Sequence, residues 1–302
     1  MFRAAALGLA VCSLAAGCGG SSSDAKEESA DGTLEALWRA PGPDVAIVPG
    51  SADFAPGRVR FSFLIVDDEG RVVTRPTARV WLSRGLEQKP FAETTARSET
   101  IGVEGSEEAD AEAIFVTHLD IEKPGKYWVL AEPVGGRKIQ AIGNVVVAED
   151  TVAPSVGDPA VASDTPTIES TGGDFDALTT QSPPDHEMLQ HSVADSIDAK
   201  VPFVVTFATP RYCTTRTCGP VVDVVDAVRV EHEGDGVRFI HVEIYEGNDP
   251  AKGTNKWVQE WNLPSEPFTF VVGGDGLVKE RFEGSFSVRE LGDAVEEHLT
   301  GA

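Results

Sequence analysis

Basic side chains are scarce in this chain. Lys and Arg number 25 against 49 Asp and Glu, a net charge of −24 with histidine neutral. A surface of that sign repels phosphate backbones, and no basic patch offers a local exception, so no nucleic-acid partner is expected. The acidity favours solubility and names no substrate. Beyond residues 4–16 no apolar run reaches transmembrane length, so no second membrane segment is expected. Internal repeats are absent. Cysteine is sparse, four residues in all, while the apolar fraction of 41% is ordinary for a globular protein.

The N-terminus bears on compartment. Phe2-Arg3 is a short positive start, and AAALGLAVCSLAA (4–16) is an apolar run of signal-peptide length, too short for a permanent span. Ala15-Ala16-Gly17-Cys18 then meets GGSSSD. Small residues, cysteine and polar tether in this order resemble the lipobox of bacterial lipoproteins, with Ala15 where Leu is usual and Leu14 one place earlier. An ordinary secretory leader is the alternative. The resemblance implies a signal peptide over 1–17, acylation of Cys18, and a protein lipid-anchored at the extracytoplasmic face of the cell membrane. Cys12 then leaves with the leader and Cys18 takes the lipid. Cys213 and Cys218 remain as a pair in an oxidising compartment, where they are expected to spend time as a disulfide.

The mature chain of about 285 residues exceeds what one hydrophobic core usually serves. Composition divides it. Residues 18–41 are Gly/Ser-rich and then charged, a flexible tether reaching roughly 25 Å. Residues 150–176, DTVAPSVGDPAVASDTPTIESTGGDFD, lack apolar periodicity and read as a linker. That leaves domains over 42–149 and 177–302.

The first reads as all-β. VRFSFLIVD (59–67) alternates, with Val59, Phe61, Phe63 and Ile65 on one face. Asp68-Glu69-Gly70 turns the chain into Arg71-Val72-Val73. ARVWLS (78–83), AIFVTHLD (113–120), KYWVLAEP (126–133) and AIGNVVVAE (141–149) add short strands, and the acidic run 99–112 reads as an exposed loop. This spacing predicts a sandwich. LDIEKPGKYWV (119–129) resembles the tyrosine corner of immunoglobulin-like folds, which implies that the Tyr127 hydroxyl bonds upstream backbone. No Cys…Trp…Cys core accompanies it. The domain shows no site; His118 reads as a surface or satisfied histidine, and a spacer or partner-binding module is the expected role.

The second domain alternates elements. EMLQHSVADSID (187–198) predicts a helix and VPFVVTFAT (201–209) a buried central strand. PVVDVVDAVRVEH (220–232) places Val221, Val224, Val225 and Val228 on one helical face. VRFIHVEIY (237–245) predicts a strand, NKWVQEWNL (255–263) a short helix, and PFTFVVGGDGLVKERFEG (267–284) a hairpin turning at Gly273-Gly274-Asp275-Gly276. SVRELGDAVEEHL (287–299) closes the chain as a helix with a Ser287/Glu290 capping box.

This order resembles the thioredoxin fold. VPFVVTF precedes a cysteine loop, CTTRTC (213–218), the valine helix follows it, and WNLPSEPFTFVVGGDGLV matches the stretch in which a proline opens a strand. The resemblance covers about 120 residues; the motif departs from it, since CTTRTC stands where a tryptophan-led CGPC is usual. The resemblance implies thiol–disulfide exchange with exported thiol- or disulfide-containing proteins or a redox partner, with Cys213 attacking and Cys218 resolving. It also implies a cis bond at Pro267, not Pro264, within van der Waals reach of Cys213 or its loop. No cofactor is implied.

The spacing adds a constraint. Residues i and i+5 of a helix lie about 8.6 Å apart by Cα, whereas a disulfide needs roughly 4.4–6.8 Å. Cys213 and Cys218 therefore pair only across a non-helical loop, Thr214–Thr217, with the helix starting after Cys218 and Pro220 at its first position. A thiolate at Cys218 would gain from the helix N-terminus, with Arg211 and Arg216 adding positive potential. Two alternatives stand. A structural disulfide in a surface interaction module would contribute roughly 2 kcal/mol in the chain-entropy model. Copper handling resembling the Sco family would enlist His241, since His232 and His298 sit at helix ends; a histidine inside an apolar strand is more often structural.

Overall fold

The computed structural model describes residues 32–39, 45–105, 111–136, 138–213 and 218–301, with only the backbone of Cys218. Cys12, Cys18, Arg216 and the Thr214–Thr217 loop lie outside the described residues. The chain is an N-terminal all-β domain followed by a smaller mixed α/β region. No described helix is long and apolar enough to cross a membrane.

Seven strands build the first domain: β1 (Val45–Pro49), β2 (Gly57–Asp67), β3 (Thr77–Ser83), β4 (Ala92–Thr100), β5 (Ala113–Ile121), β6 (Gly125–Pro133) and β7 (Ala141–Val147). They close into a barrel in the order β1-β2-β5-β4-β3-β6-β7, where the sequence predicts an open sandwich. The closure has two causes. Strand β4 pairs with β3 over Ala92–Arg97 and then with β5 over Arg97–Thr100, so one strand serves both layers. Strand β1 runs antiparallel to β2 and touches β7 through one parallel pair, Ala46 with Ile142. The acidic run 99–112 therefore begins as the end of β4. The alternation of β2 is as its sequence dictates: Phe61, Phe63 and Ile65 are buried, and Phe63 stacks at 5.0 Å on Phe61 and 5.5 Å on Phe115. Tyr127, buried in the same core, donates its hydroxyl to the Lys123 carbonyl across the Pro124-Gly125 turn. The described part of the expected tether is not loose. Helix α1 (Leu34–Trp38), capped by Thr33, buries Leu34 against Trp81 and Leu130.

The second region holds α2 (Val193–Asp198), β8 (Phe203–Phe207), α3 (Cys218–Glu231), β9 (Arg238–Val242), α4 (Lys256–Glu260), β10 (Phe268–Val272), β11 (Val278–Glu283) and α5 (Val288–His298). The sheet order is β11-β10-β8-β9. Strands β8 and β9 are parallel, β10 is antiparallel to β8, and β11 antiparallel to β10. Both faces are covered. Val204 and Val271 meet the valines of α3 and Leu291 and Val295 of α5, while Phe203, Val205, Phe207 and Phe270 meet Trp261 and Val193. That explains why the strands are continuously apolar. The single helix expected over 187–198 is broken: a 3-10 turn at Glu187–Leu189 ends, and Ser192, extended at φ −86°, starts α2 by accepting from the Asp195 amide. The capping box of α5 forms as its sequence requires.

Residues 150–176, compositionally a linker, are packed into this region. Amides 157 and 160 donate to the Val278 and Gly276 carbonyls, the Val278 amide donates to the Asp158 carbonyl, and Ala153 is buried. Ser163 accepts from the Trp261 indole and Thr165 from the Val193 amide. Short polar side chains and backbone here replace the apolar periodicity that a sequence reading relies on. The barrel meets the α/β region through ion pairs: Arg60 Nε with Glu290 at 2.8 Å, Arg281 with Asp53 at 2.7 Å, and Arg289 with Glu99. Gly284, at φ +74°, lies so close to the Gly50 carbonyl that a Cβ would come within 2.3 Å; only glycine fits there. A cleft of about 1160 Å³ beside these pairs is lined by acids and bases that largely neutralise one another, with His118 among them.

Candidate functional site

The chemistry-bearing residues gather where β8 ends. Phe207 pairs with Phe268 at the start of β10, so the residue before that strand, Pro267, stands beside the exit of β8. The Glu266–Pro267 bond is cis, the isomer expected there; Ser182–Pro183 is also cis. After β8 the buried Ala208 and Thr209 lead into a turn in which the amides of Tyr212 and Cys213 both donate to the Thr209 carbonyl, at 3.3 and 3.1 Å. This turn leaves Cys213 half-buried against the α3 side of the sheet.

Helix α3 includes Cys218 as its first residue, where the sequence predicts a start after it. Pro220 falls in the first turn rather than at the first position, which is still a place where no intrahelical amide is needed. The Cys218 side chain lies outside the described residues, and with it the pairing of the two sulfurs.

A polar cluster flanks the turn that carries Cys213. The Arg211 amide donates to the Thr180 hydroxyl, which donates to Glu243 Oε1 at 2.7 Å, and the Thr180 amide reaches the same oxygen at 2.6 Å. Glu243 is 4% exposed. From the same stretch of chain Tyr245 donates its hydroxyl to Glu266 Oε1 at 3.3 Å, and its ring meets that of Tyr212 edge-on at 6.5 Å. The Arg211 guanidinium stands over the Tyr212 ring at 5.6 Å. Among the described residues six buried polar side-chain atoms lack a hydrogen-bond partner, and three of them are here: Thr209 Oγ1, Glu243 Oε2 and Glu266 Oε2. Orphaned polar atoms are costly in a core and concentrate where function requires them.

Burial pushes the Glu266 carboxyl up from 4.5 to about 7; the neighbouring Cys213 charge and Glu243 push the same way, and the Tyr245 hydrogen bond opposes them. A raised acid favours the folded state most when protonated. Its contribution is fully present below pH 4.5 and is lost as pH rises through about 7. Glu266→Gln is therefore expected to flatten the stability profile across that window. Urea midpoints at intervals from pH 4.5 to above 7 check this, the native chain losing ground to the variant as pH rises.

His241 is a structural histidine. Its Nε2 donates to the Ala208 carbonyl at 3.0 Å and its Nδ1 faces the Thr179 hydroxyl at 3.4 Å, so neither ring nitrogen is turned to Cys213. No group of three or more His, Cys, Asp or Glu among the described residues is arranged to hold a metal ion. His232 is engaged by Asp235 at 2.9 Å. Burial, with Arg58 and Arg60 alongside, lowers the pKa of His118.

Of the residues marked from sequence, Pro267 follows a cis bond just ahead of β10, and Cys213 lies in the turn after β8, the strand with which β10 pairs. Glu266, Glu243 and Thr209 escaped the sequence reading. The signal for Glu243 was there, a lone carboxylate inside the apolar run VRFIHVEIY; Glu266 had only its place before Pro267.

No family model matches the chain, and no curated protein matches it. Among solved structures it is similar to the PKD domain of human VPS10 domain-containing receptor SorCS2. Identity is 16%, 46% of this chain and 96% of that domain are covered, and the TM-score is 0.19.

Proposed function

We propose that the chain is a membrane-anchored, extracytoplasmic protein that exchanges thiols and disulfides through Cys213 and Cys218 on a thioredoxin-like domain, carried behind an immunoglobulin-like one. The observation that carries the reading is the half-buried Cys213 in the turn after the central strand, its neighbour Tyr212 meeting Tyr245, whose hydroxyl bonds Glu266 ahead of Pro267. Support for the fold comes from the β8-α3-β9 unit followed by the β10–β11 hairpin and closing α5, with the cysteine loop between β8 and α3 and Pro267 ahead of β10. The tyrosine hydroxyl bond of Tyr127 supports the immunoglobulin-like reading of the barrel. The lipid anchor rests on Cys18 and its flanking residues.

In the proposed mechanism the Cys213 thiolate attacks a substrate disulfide. A mixed disulfide forms as the substrate's own S–S bond breaks, and one substrate thiolate leaves. Cys218, favoured as a thiolate at the N-terminus of α3, attacks Cys213 and releases the second substrate thiol, leaving a Cys213–Cys218 disulfide. The test is capture: the reduced Cys218→Ser chain incubated with oxidised glutathione is expected to accumulate glutathione on Cys213, read by peptide mass spectrometry. An unmodified Cys213 would favour a structural disulfide in a surface interaction module.

A further inference from the structure

Resting on the thiol–disulfide reading, we infer that Glu266 is the proton acceptor and donor for Cys213, with Glu243 fixing its electrostatic setting. The argument begins with unspent hydrogen-bonding capacity. A buried carboxylate oxygen normally takes a partner, yet Glu266 Oε2 and Glu243 Oε2 both lack one among the described residues. Glu243 is more than nine-tenths buried and anchored on one oxygen only, by Thr180. Two carboxyls in one shell with a thiol resist carrying three negative charges together. Of the two, Glu266 is the one placed to exchange a proton, since burial raises its carboxyl and its second oxygen has no partner. Its other oxygen is steadied by Tyr245, and the chain fixes it two residues before β10, the strand paired with β8, which leads to Cys213.

The charged and titratable groups around Glu266 are Cys213, Glu243 and Tyr245. Arg211 is turned over the Tyr212 ring and His241 to Ala208 and Thr179, so neither supplies the proton. A carboxyl poised at about 7 is matched to this task at neutral pH. The step balances. Glu266 carboxylate takes the Cys213 proton, the thiolate sulfur forms a bond to one substrate sulfur, and the substrate S–S bond breaks. The departing thiolate then takes the proton back from the Glu266 carboxyl. In this scheme Cys213 and Glu266 pass one proton between them.

Two reactions of Cys213 separate this role from a plain charge effect. Alkylation by iodoacetamide needs only the thiolate, because iodide leaves without a proton. Exchange with oxidised glutathione also expels a thiolate, which an adjacent carboxyl can protonate as it leaves. The full chain in detergent micelles carrying Cys218→Ser, with and without Glu266→Gln, is followed at the Cys213 peptide by mass spectrometry just above pH 7, where the Glu266 carboxyl is ionised. Glu266→Gln removes a repelling charge and is expected to quicken alkylation severalfold while slowing glutathione exchange roughly tenfold or more. Both rates unchanged, or both moving the same way, would overturn the proposal. In the chain with Glu266 intact, blocking Cys213 is expected to lower the midpoint of the Glu266 carboxyl titration in infrared difference spectra. An unmoved midpoint would also overturn it, and this arm needs no Glu266 variant to fold. A native Cys213 inert to glutathione but reactive to iodoacetamide would instead sink the exchange reading, leaving the titration to judge the shared proton.

Discussion

Cys213→Ser is expected to bring disulfide exchange down by about three orders of magnitude or more, on the scale of losing a nucleophile elsewhere. A serine hydroxyl is far less acidic than a thiol and cannot be stored as the anion that attacks. Cys218→Ser is expected to behave differently: the first attack survives and turnover stops at the mixed disulfide. The contrast comes from position. Cys213 lies half-buried in the turn after β8, whereas Cys218 opens α3. Reciprocal behaviour, with Cys218→Ser abolishing attack and Cys213→Ser trapping an adduct, would exchange the roles. Equal and small losses in both would point to a structural pair. Rates of glutathione exchange on the two reduced variants decide among these.

The second large effect concerns stability. Trp261 is fully buried between Phe207 at 5.3 Å and Phe270 at 4.6 Å, and its indole donates to Ser163 at 3.2 Å. Trp261→Ala is expected to cost about 3–5 kcal/mol, the range for emptying a large aromatic site in a packed core. The loss extends beyond the cavity, because Ser163 belongs to the 150–176 segment and holds Glu260 as well. Guanidinium unfolding checks it: the midpoint falls while the slope is kept. Ser163→Ala tests the segment separately; a loss of about 1 kcal/mol is expected if the segment is part of the fold, since the indole then loses its acceptor. No change in either variant would mean that 150–176 is the loose connection its composition resembles.

Legibility followed the kind of interaction that builds each part. Elements built by burying side chains at regular spacing were readable. The alternation of Val59, Phe61, Phe63 and Ile65 and the valine face of α3 each sort into one core, and the continuous run of β8 divides between two. Strand β4, AETTARSET, was missed because the apolar marks it turns to the core are two small residues, Ala92 and Ala96. Helix α1 hid in a charged stretch because one leucine does its anchoring. The 150–176 segment is held by backbone hydrogen bonds and small hydroxyls, which leave no periodic trace. Barrel closure depends on where β4 changes partners, a property of register rather than composition. At the site, Cys213 and Pro267 were visible as local motifs. Glu266 and Glu243 became meaningful only when the β8–β10 pairing and the path after β9 set them, each with a buried unpartnered oxygen, at the end of the sheet where β8 leads to Cys213.

The reduction potential of the Cys213–Cys218 couple, measured by equilibration of the full chain against glutathione and dithiothreitol buffers, tests the central claim most directly. A working exchange centre is expected to lie well above about −300 mV, in the range of labile disulfides. A potential far below that value would make the pair a staple and contradict the proposed function.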